Sequence, residues 1–160
     1  MSDAVRLTRR EWLARALAST AAITLGGEQA LAATLAPPTL VTVHKDKSCS
    51  CCEKWVTHMR ASGFRVVVRD EADLDAVKDK LGVPGPLRSC HTALVGGYLI
   101  EGHVPASDVR RVVSTRPKIV GLAVPGMPTG TPGMEGPRGP ERYEVLSFDA
   151  RGKTAVYAKH

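Results

Sequence analysis

The chain reads as an α/β domain in the order β-α-β-α-β-β-α, followed by a Gly/Pro/Met-rich loop and a C-terminal β-hairpin. Three observations predict this. Short β-branched runs such as "LVTVH" and "FRVVVRD" alternate with segments whose apolar residues recur at helical spacing. Two later apolar runs, "HTALV" and "YLIEGHV", are separated by Gly96-Gly97, a hairpin turn signal. From Ile119 to Arg142 both periods stop, and Gly and Pro dominate.

The elements follow in order. Leu40 to His44 is the first strand, and Lys45 to Ser48 a loop. Cys49 or Ser50 caps a helix that runs to about Ser62, with Cys52, Trp55, Val56 and Met59 on its apolar stripe and Gly63 as its stop. The second strand starts at Phe64. Asp73 opens a second helix with Leu74, Val77 and Leu81 on one face; Gly82 ends it and "VPGP" breaks the chain. After the hairpin, Pro105 suits the first turn of a third helix, whose Val109, Val112 and Val113 face inward. Residues 119–142 form the Met-bearing loop, and 143–160 a hairpin turning at about Asp149 to Gly152. Strands one and two, joined through a helix, are expected to be parallel with a right-handed crossover. This order matches a thioredoxin-like core, with a C-x-x-C at the start of the first helix, where that fold places its dithiol.

The first residues read as an address. Arg9 and Arg10 precede a weakly apolar run from Trp12 to about Leu25, which ends in the small residues Ala30-Leu31-Ala32. The run is too short to span a bilayer, which takes about 20 residues. Residues 1–32 are therefore expected to be a twin-arginine-type signal peptide cleaved near Ala32, with 33–39 as a linker. The expected location is the periplasm, with no membrane anchor after cleavage. With 43% apolar residues, the 160-residue chain has material for a core, but at 4% aromatic that core must be chiefly aliphatic. The net charge of +6 is scattered and has no interleaved aromatic platform, so no nucleic-acid partner is expected.

The chemistry centres on "SCSCCEKW". Three of the four cysteines, Cys49, Cys51 and Cys52, fall within four residues, and the fourth, Cys90, is followed by His91. In an oxidising compartment four cysteines usually mean two structural disulfides, but the crowding at 49–52 argues otherwise. A helix N-terminus favours thiolate, which is both a redox nucleophile and a metal ligand. Cys49 and Cys52 alone therefore fit two functions. As a thiol-disulfide oxidoreductase, the chain would use Cys49 as nucleophile and Cys52 as resolving thiol. That chemistry has no use for Cys51, for Cys90-His91, or for Met127 and Met134 in a segment with little core to fill. A soft-metal site can use them all: thiolate and thioether together select Cu(I). Zinc could take three thiolates and an imidazole but leaves the thioethers unexplained. His44 and His103 are possible additional ligands. His58 is expected at the surface.

Three segments carry a resemblance: "CSCCEKW", "GVPGPLRSCHTALVGGYLIEGHVPASDVRRVV" and "GLAVPGMPTGTPGME". Between about Thr39 and His160 the chain resembles the CopG-like family, small periplasmic metal-binding proteins long described as a domain of unknown function and associated with copper resistance. The resemblance implies a thioredoxin-like fold and copper binding. It also implies Cys49, Cys51, Cys52, Cys90, His91, Met127 and Met134 as ligands, with Ser50 where the family has Gly. The expectation is thus a periplasmic copper-binding protein serving copper tolerance, with Cu(I) as its cargo, held in a small polynuclear thiolate cluster. Other periplasmic copper-handling proteins are its possible partners. If the chain has an activity, it is copper/thiol redox chemistry, since the same thiols can cycle between metal-bound and disulfide states.

Overall fold

A computed structural model describes residues 38–137 and 139–160; the segment read as a signal peptide lies outside them. Seven strands form one mixed sheet: β1 (Leu40–Lys45), β2 (Arg65–Asp70), β3 (His91–Val95), β4 (Tyr98–Glu101), β5 (Gly121–Ala123), β6 (Glu144–Phe148) and β7 (Thr154–Lys159). Their spatial order is β2-β1-β3-β4-β5-β6-β7. Among the described residues three α-helices accompany them: α1 (Ser50–Ala61), α2 (Leu74–Leu81) and α3 (Ala106–Thr115). No helix among the described residues is long and apolar enough to cross a membrane.

The expected α/β class and element order hold. The β1-α1-β2 unit is parallel as a helical crossover requires, with Val41 beside Val66 and Val43 beside Val68. β3 runs antiparallel to β1 and turns at Gly96-Gly97 into β4. Both glycines have positive φ, +56° and +91°, as a two-residue hairpin turn demands. α3 then returns the chain to β5, parallel to β4.

The core has two sides, because residues alternate across a strand. On one, Val41, Val43 and Ile100 pack with Trp55, Val56 and Met59 of α1 and Val109 and Val112 of α3. On the other, Leu99, Ala123 and Phe148 pack with Val83 and Leu87. Burying each aliphatic side chain contributes about 1.5–3 kcal/mol, and the apolar stripes of α1 and α3 lie where their helical spacing puts them.

Three features depart from the sequence reading. The loop expected over 119–142 contains β5 at its start, paired with β4 on one side and β6 on the other. Gly121 makes this possible: a Cβ there would lie 2.1 Å from the Leu99 carbonyl oxygen. Periodicity cannot reveal a three-residue strand. On α2, Leu74, Val77 and Leu81 are only half-buried, and the side chain sealed inside is Lys78. Last, His58 is not at the surface. It is half-buried, and its Nε2 accepts the backbone N–H of Ala106 at 3.1 Å, at the first turn of α3.

Candidate metal centre

The topology brings the chemistry to one end of the sheet. β1 delivers the chain through a tight turn, in which the Cys49 N–H donates to the Asp46 carbonyl at 3.1 Å, into the N-terminus of α1. Cys49 occupies the N-cap position, though its side chain makes no capping bond. Lys45, buried at the end of β1, pins this turn. Its Nζ meets Glu53 of the first turn of α1 at 2.7 Å, Asp70 at 3.0 Å and the Asp46 carbonyl at 3.1 Å. In register with Lys45 across the sheet is His91, so the antiparallel β1/β3 pairing sets Cys90-His91 beside the α1 N-terminus.

The four sulfurs of Cys49, Cys51, Cys52 and Cys90 lie within 4.8 Å of one another. Cys49 and Cys52, the pair singled out for the redox alternative, are joined as a disulfide. Cys51 and Cys90 are free thiols. Cys51 Sγ stands 3.5 Å from Cys49 Sγ and 3.9 Å from Cys90 Sγ, between the disulfide and the fourth cysteine.

Cys90 also belongs to a second group. Its sulfur is 3.3 Å from His91 Nδ1 and 3.0 Å from His103 Nε2, and the three donor atoms converge within 4.8 Å. His103 reaches the site because β4 ends at Glu101 and Gly102 turns the chain back (φ +71°). The tautomer of His103 follows from its other contact. Nδ1–H donates to the Pro132 carbonyl at 2.8 Å, which leaves the Nε2 lone pair facing Cys90. His91 is fully buried; its ring packs 4.5 Å from Trp55 and 5.1 Å from His103, and its Nε2 has no hydrogen-bond partner. A buried imidazole nitrogen without a partner is costly in a closed core; the nitrogen that faces the Cys90 thiol is the other one, Nδ1.

The electrostatics keep these donors uncharged. Burial, with the Cys51 thiol beside it, pushes the Cys90 thiol up to about 12. Burial drives His91 well below the ordinary histidine value, aided by the nearby His103 and Lys78, and burial also lowers His103. Both imidazoles are therefore neutral, with lone pairs available. An arriving cation would displace the Cys90 proton and be held by sulfur and nitrogen.

The Met-bearing loop packs onto this site through Pro132 and Gly133. Gly133, at φ +92°, sits where a Cβ would lie 2.8 Å from the Trp55 backbone nitrogen and 2.9 Å from the Cys51 carbonyl oxygen. Met134 follows it, half-buried, in a turn closed by its N–H to the Thr131 carbonyl at 2.8 Å. Met127 is 40% exposed and has left-handed backbone, φ +49°. His44 is not part of either donor group: its Nδ1 pairs with Glu71 at 2.7 Å.

Comparison with known proteins finds one matching family model and two similar solved structures. A family model described as a protein of unknown function, DUF411, matches residues 87–134, which include Cys90, His91, His103, Met127 and Met134. Two solved structures are similar, Form 1 and Form 2 of a protein titled copper resistance protein copG. Each is 44% identical with a TM-score of 0.73, over 77% of this chain and 98% of that one. No curated protein matches. A shared fold at this identity, covering nearly all of the solved protein, establishes kinship: the chain belongs to the family of the copper resistance protein CopG.

Proposed function

We propose that this protein binds copper as cargo, holding Cu(I) in a Cys/His/Met site for copper tolerance or handling. The observation that carries the reading is the convergence of four sulfurs and two neutral imidazoles at the α1 N-terminus. Thiolates with imidazole form a soft donor set, and sulfur in excess favours Cu(I) over harder ions. Cys49, Cys51, Cys52, Cys90 and His91 are the principal ligands, and His103 joins them on the strength of its Nε2 facing Cys90. Met127 and Met134 complete the set from the loop that closes on α1. Four thiolates this close can bridge more than one Cu(I), so the bound form is a small thiolate cluster. The relatives' printed title, copper resistance protein, supports copper as the cargo. We place this chemistry in the periplasm, after export by the twin-arginine-type signal.

The disulfide sets a condition. To offer all four thiolates, Cys49–Cys52 must take up two electrons and two protons from an external dithiol, which leaves as its own disulfide, giving two thiols. Each thiol that binds Cu(I) then releases its proton. The same disulfide, at a helix N-terminus with a third thiol 3.5 Å away, favours a second reading as a thiol-disulfide oxidoreductase.

One experiment separates them. Fully reduced protein is titrated anaerobically with Cu(I) against a chromophoric chelator, and its disulfide reductase activity is measured without metal. The copper reading expects more than one tightly held Cu(I) per chain, reduced by Cys51→Ser and by Met127→Leu. No retained copper together with brisk metal-free disulfide reduction would replace it with the second reading.

A further inference from the structure

Behind the thiols lies a buried polar network that copper binding does not itself require. The side chains of Lys78 on α2 and Glu101 on β4 are 2% and 0% exposed, and they form an ion pair. Thr92 on β3, in register with Glu101, completes a triangle. Lys78 Nζ donates to Thr92 Oγ1 at 2.8 Å, and Thr92 Oγ1 donates to Glu101 Oε2 at 2.6 Å. The other carboxylate oxygen, Oε1, accepts the backbone N–H of Ser89 at 2.6 Å.

Stability alone does not account for this arrangement. Desolvating a Lys–Glu pair is expensive, and apolar residues of the same volume often serve a core as well or better. What the network does hold is the chain on both sides of Cys90-His91: Ser89 before it and Thr92 after it. Glu101 also precedes the turn that carries His103. In that turn the Gly102 N–H donates to the His91 carbonyl at 2.9 Å. Gly102 lies so close to Ser89 that a Cβ would sit 2.6 Å from Ser89 Oγ. The segment bearing Cys90 and the segment bearing His103 thus meet at Glu101.

We infer that Glu101, with its charge balanced by Lys78, is a positioning residue that presets Cys90, His91 and His103 as one donor group. The metal side of this inference rests on the copper reading; the positioning is a property of the metal-free protein. Groups that orient ligands in this way matter to metal affinity about as much as tenfold or more when removed.

The test uses two double variants, K78M/E101L and K78M/E101Q. Both abolish the ion pair, but only Gln keeps a carbonyl oxygen for the Ser89 N–H. With Cys49–Cys52 intact, Cys51 and Cys90 are the free thiols, and peptide mass spectrometry follows alkylation of each by iodoacetamide. The expected result is Cys90 alkylation several-fold faster in K78M/E101L, with Cys51 unchanged, and wild-type rates at both in K78M/E101Q. Cu(I) affinity by chelator competition should fall about tenfold in the first variant and recover in the second. An unchanged Cys90 rate in K78M/E101L overturns the inference, as does equal acceleration of Cys51 and Cys90, which would mean general loosening. If K78M/E101L does not fold, Thr92→Val, which removes the donor to Oε2, is read by the same selective acceleration. If wild-type protein binds no Cu(I), the copper reading falls, while the alkylation rates still decide the positioning.

Discussion

Cys90 Sγ lies 3.0 Å from His103 Nε2, and the opposite nitrogen of the same ring is held by the carbonyl of Pro132 at 2.8 Å. One imidazole therefore ties the fourth cysteine to the Met-bearing loop. His103→Leu should cut both ties. Cu(I) affinity is expected to fall on the order of tenfold or more, since a ligand should matter no less than the groups that orient it. Limited proteolysis within 126–136 should accelerate in the metal-free variant. A variant with wild-type affinity and an equally protected loop would remove His103 from the site.

Gly133 is where the loop meets α1. Gly133→Ala places a Cβ against the Trp55 nitrogen and the Cys51 carbonyl oxygen and also penalises a φ of +92°. The left-handed backbone alone costs about 1–2 kcal/mol. Chemical denaturation should register a loss of at least that size, and Met134 should contribute less to copper binding once the loop is lifted. A variant as stable as wild type would show that the loop is not seated on the helix.

His58 provides a pH dependence away from the thiols. Burial lowers its pKa below the ordinary 6.5, only partly opposed by Glu135. The folded protein thus binds this proton less readily than the unfolded chain does. The stability due to neutral His58 is complete above pH 6.5 and is lost as pH falls through 6.5 toward the folded value. Protonation also removes the acceptor for the Ala106 N–H at the start of α3. His58→Gln, which keeps an acceptor but does not titrate, should flatten the fall in Tm across this range; parallel Tm curves for variant and wild type would exclude His58 as the cause.

The oxidation state of Cys49–Cys52 should set copper capacity. With the bond intact, two thiols remain; with it reduced, four. Metal analysis after anaerobic loading and desalting should find more Cu(I) per chain in the reduced form, and Cys49→Ser/Cys52→Ser should behave like the disulfide form. Equal loading of both states would mean that these two sulfurs are not ligands.

Much of this architecture was legible in the chain, for identifiable reasons. Cys52, Trp55, Val56 and Met59 share a face because helical spacing is a strong signal, and Gly96-Gly97 marks a turn because its backbone demands glycine. The nearness of Cys90-His91 to the three clustered cysteines depends on the fold: it takes the antiparallel β1/β3 pairing, with Lys45 beside His91, to bring them together. His103 was harder. In sequence "YLIEGHV" looks like one continuous strand, and only the turn at Gly102 reveals that His103 doubles back toward Cys90. β5 escaped because three residues cannot display a period. Lys78 and Glu101 escaped because each reads as an ordinary surface charge. The available clue was positional: Lys78 stands one helical turn from Leu74, on the same stripe, and Glu101 ends an otherwise apolar strand. The contacts of His44 with Glu71 and of His58 with Ala106 depend on packing between distant segments, which no local pattern encodes.

Copper held by the converged sulfurs has sulfur as its nearest neighbours. X-ray absorption at the copper K-edge, on fully reduced protein loaded anaerobically with Cu(I), reads out those neighbours. The expected spectrum is dominated by sulfur at bonding distance, with a smaller nitrogen contribution that diminishes in His103→Leu. Coordination by nitrogen and oxygen without sulfur would place the copper away from the cysteines and rule out the thiolate site.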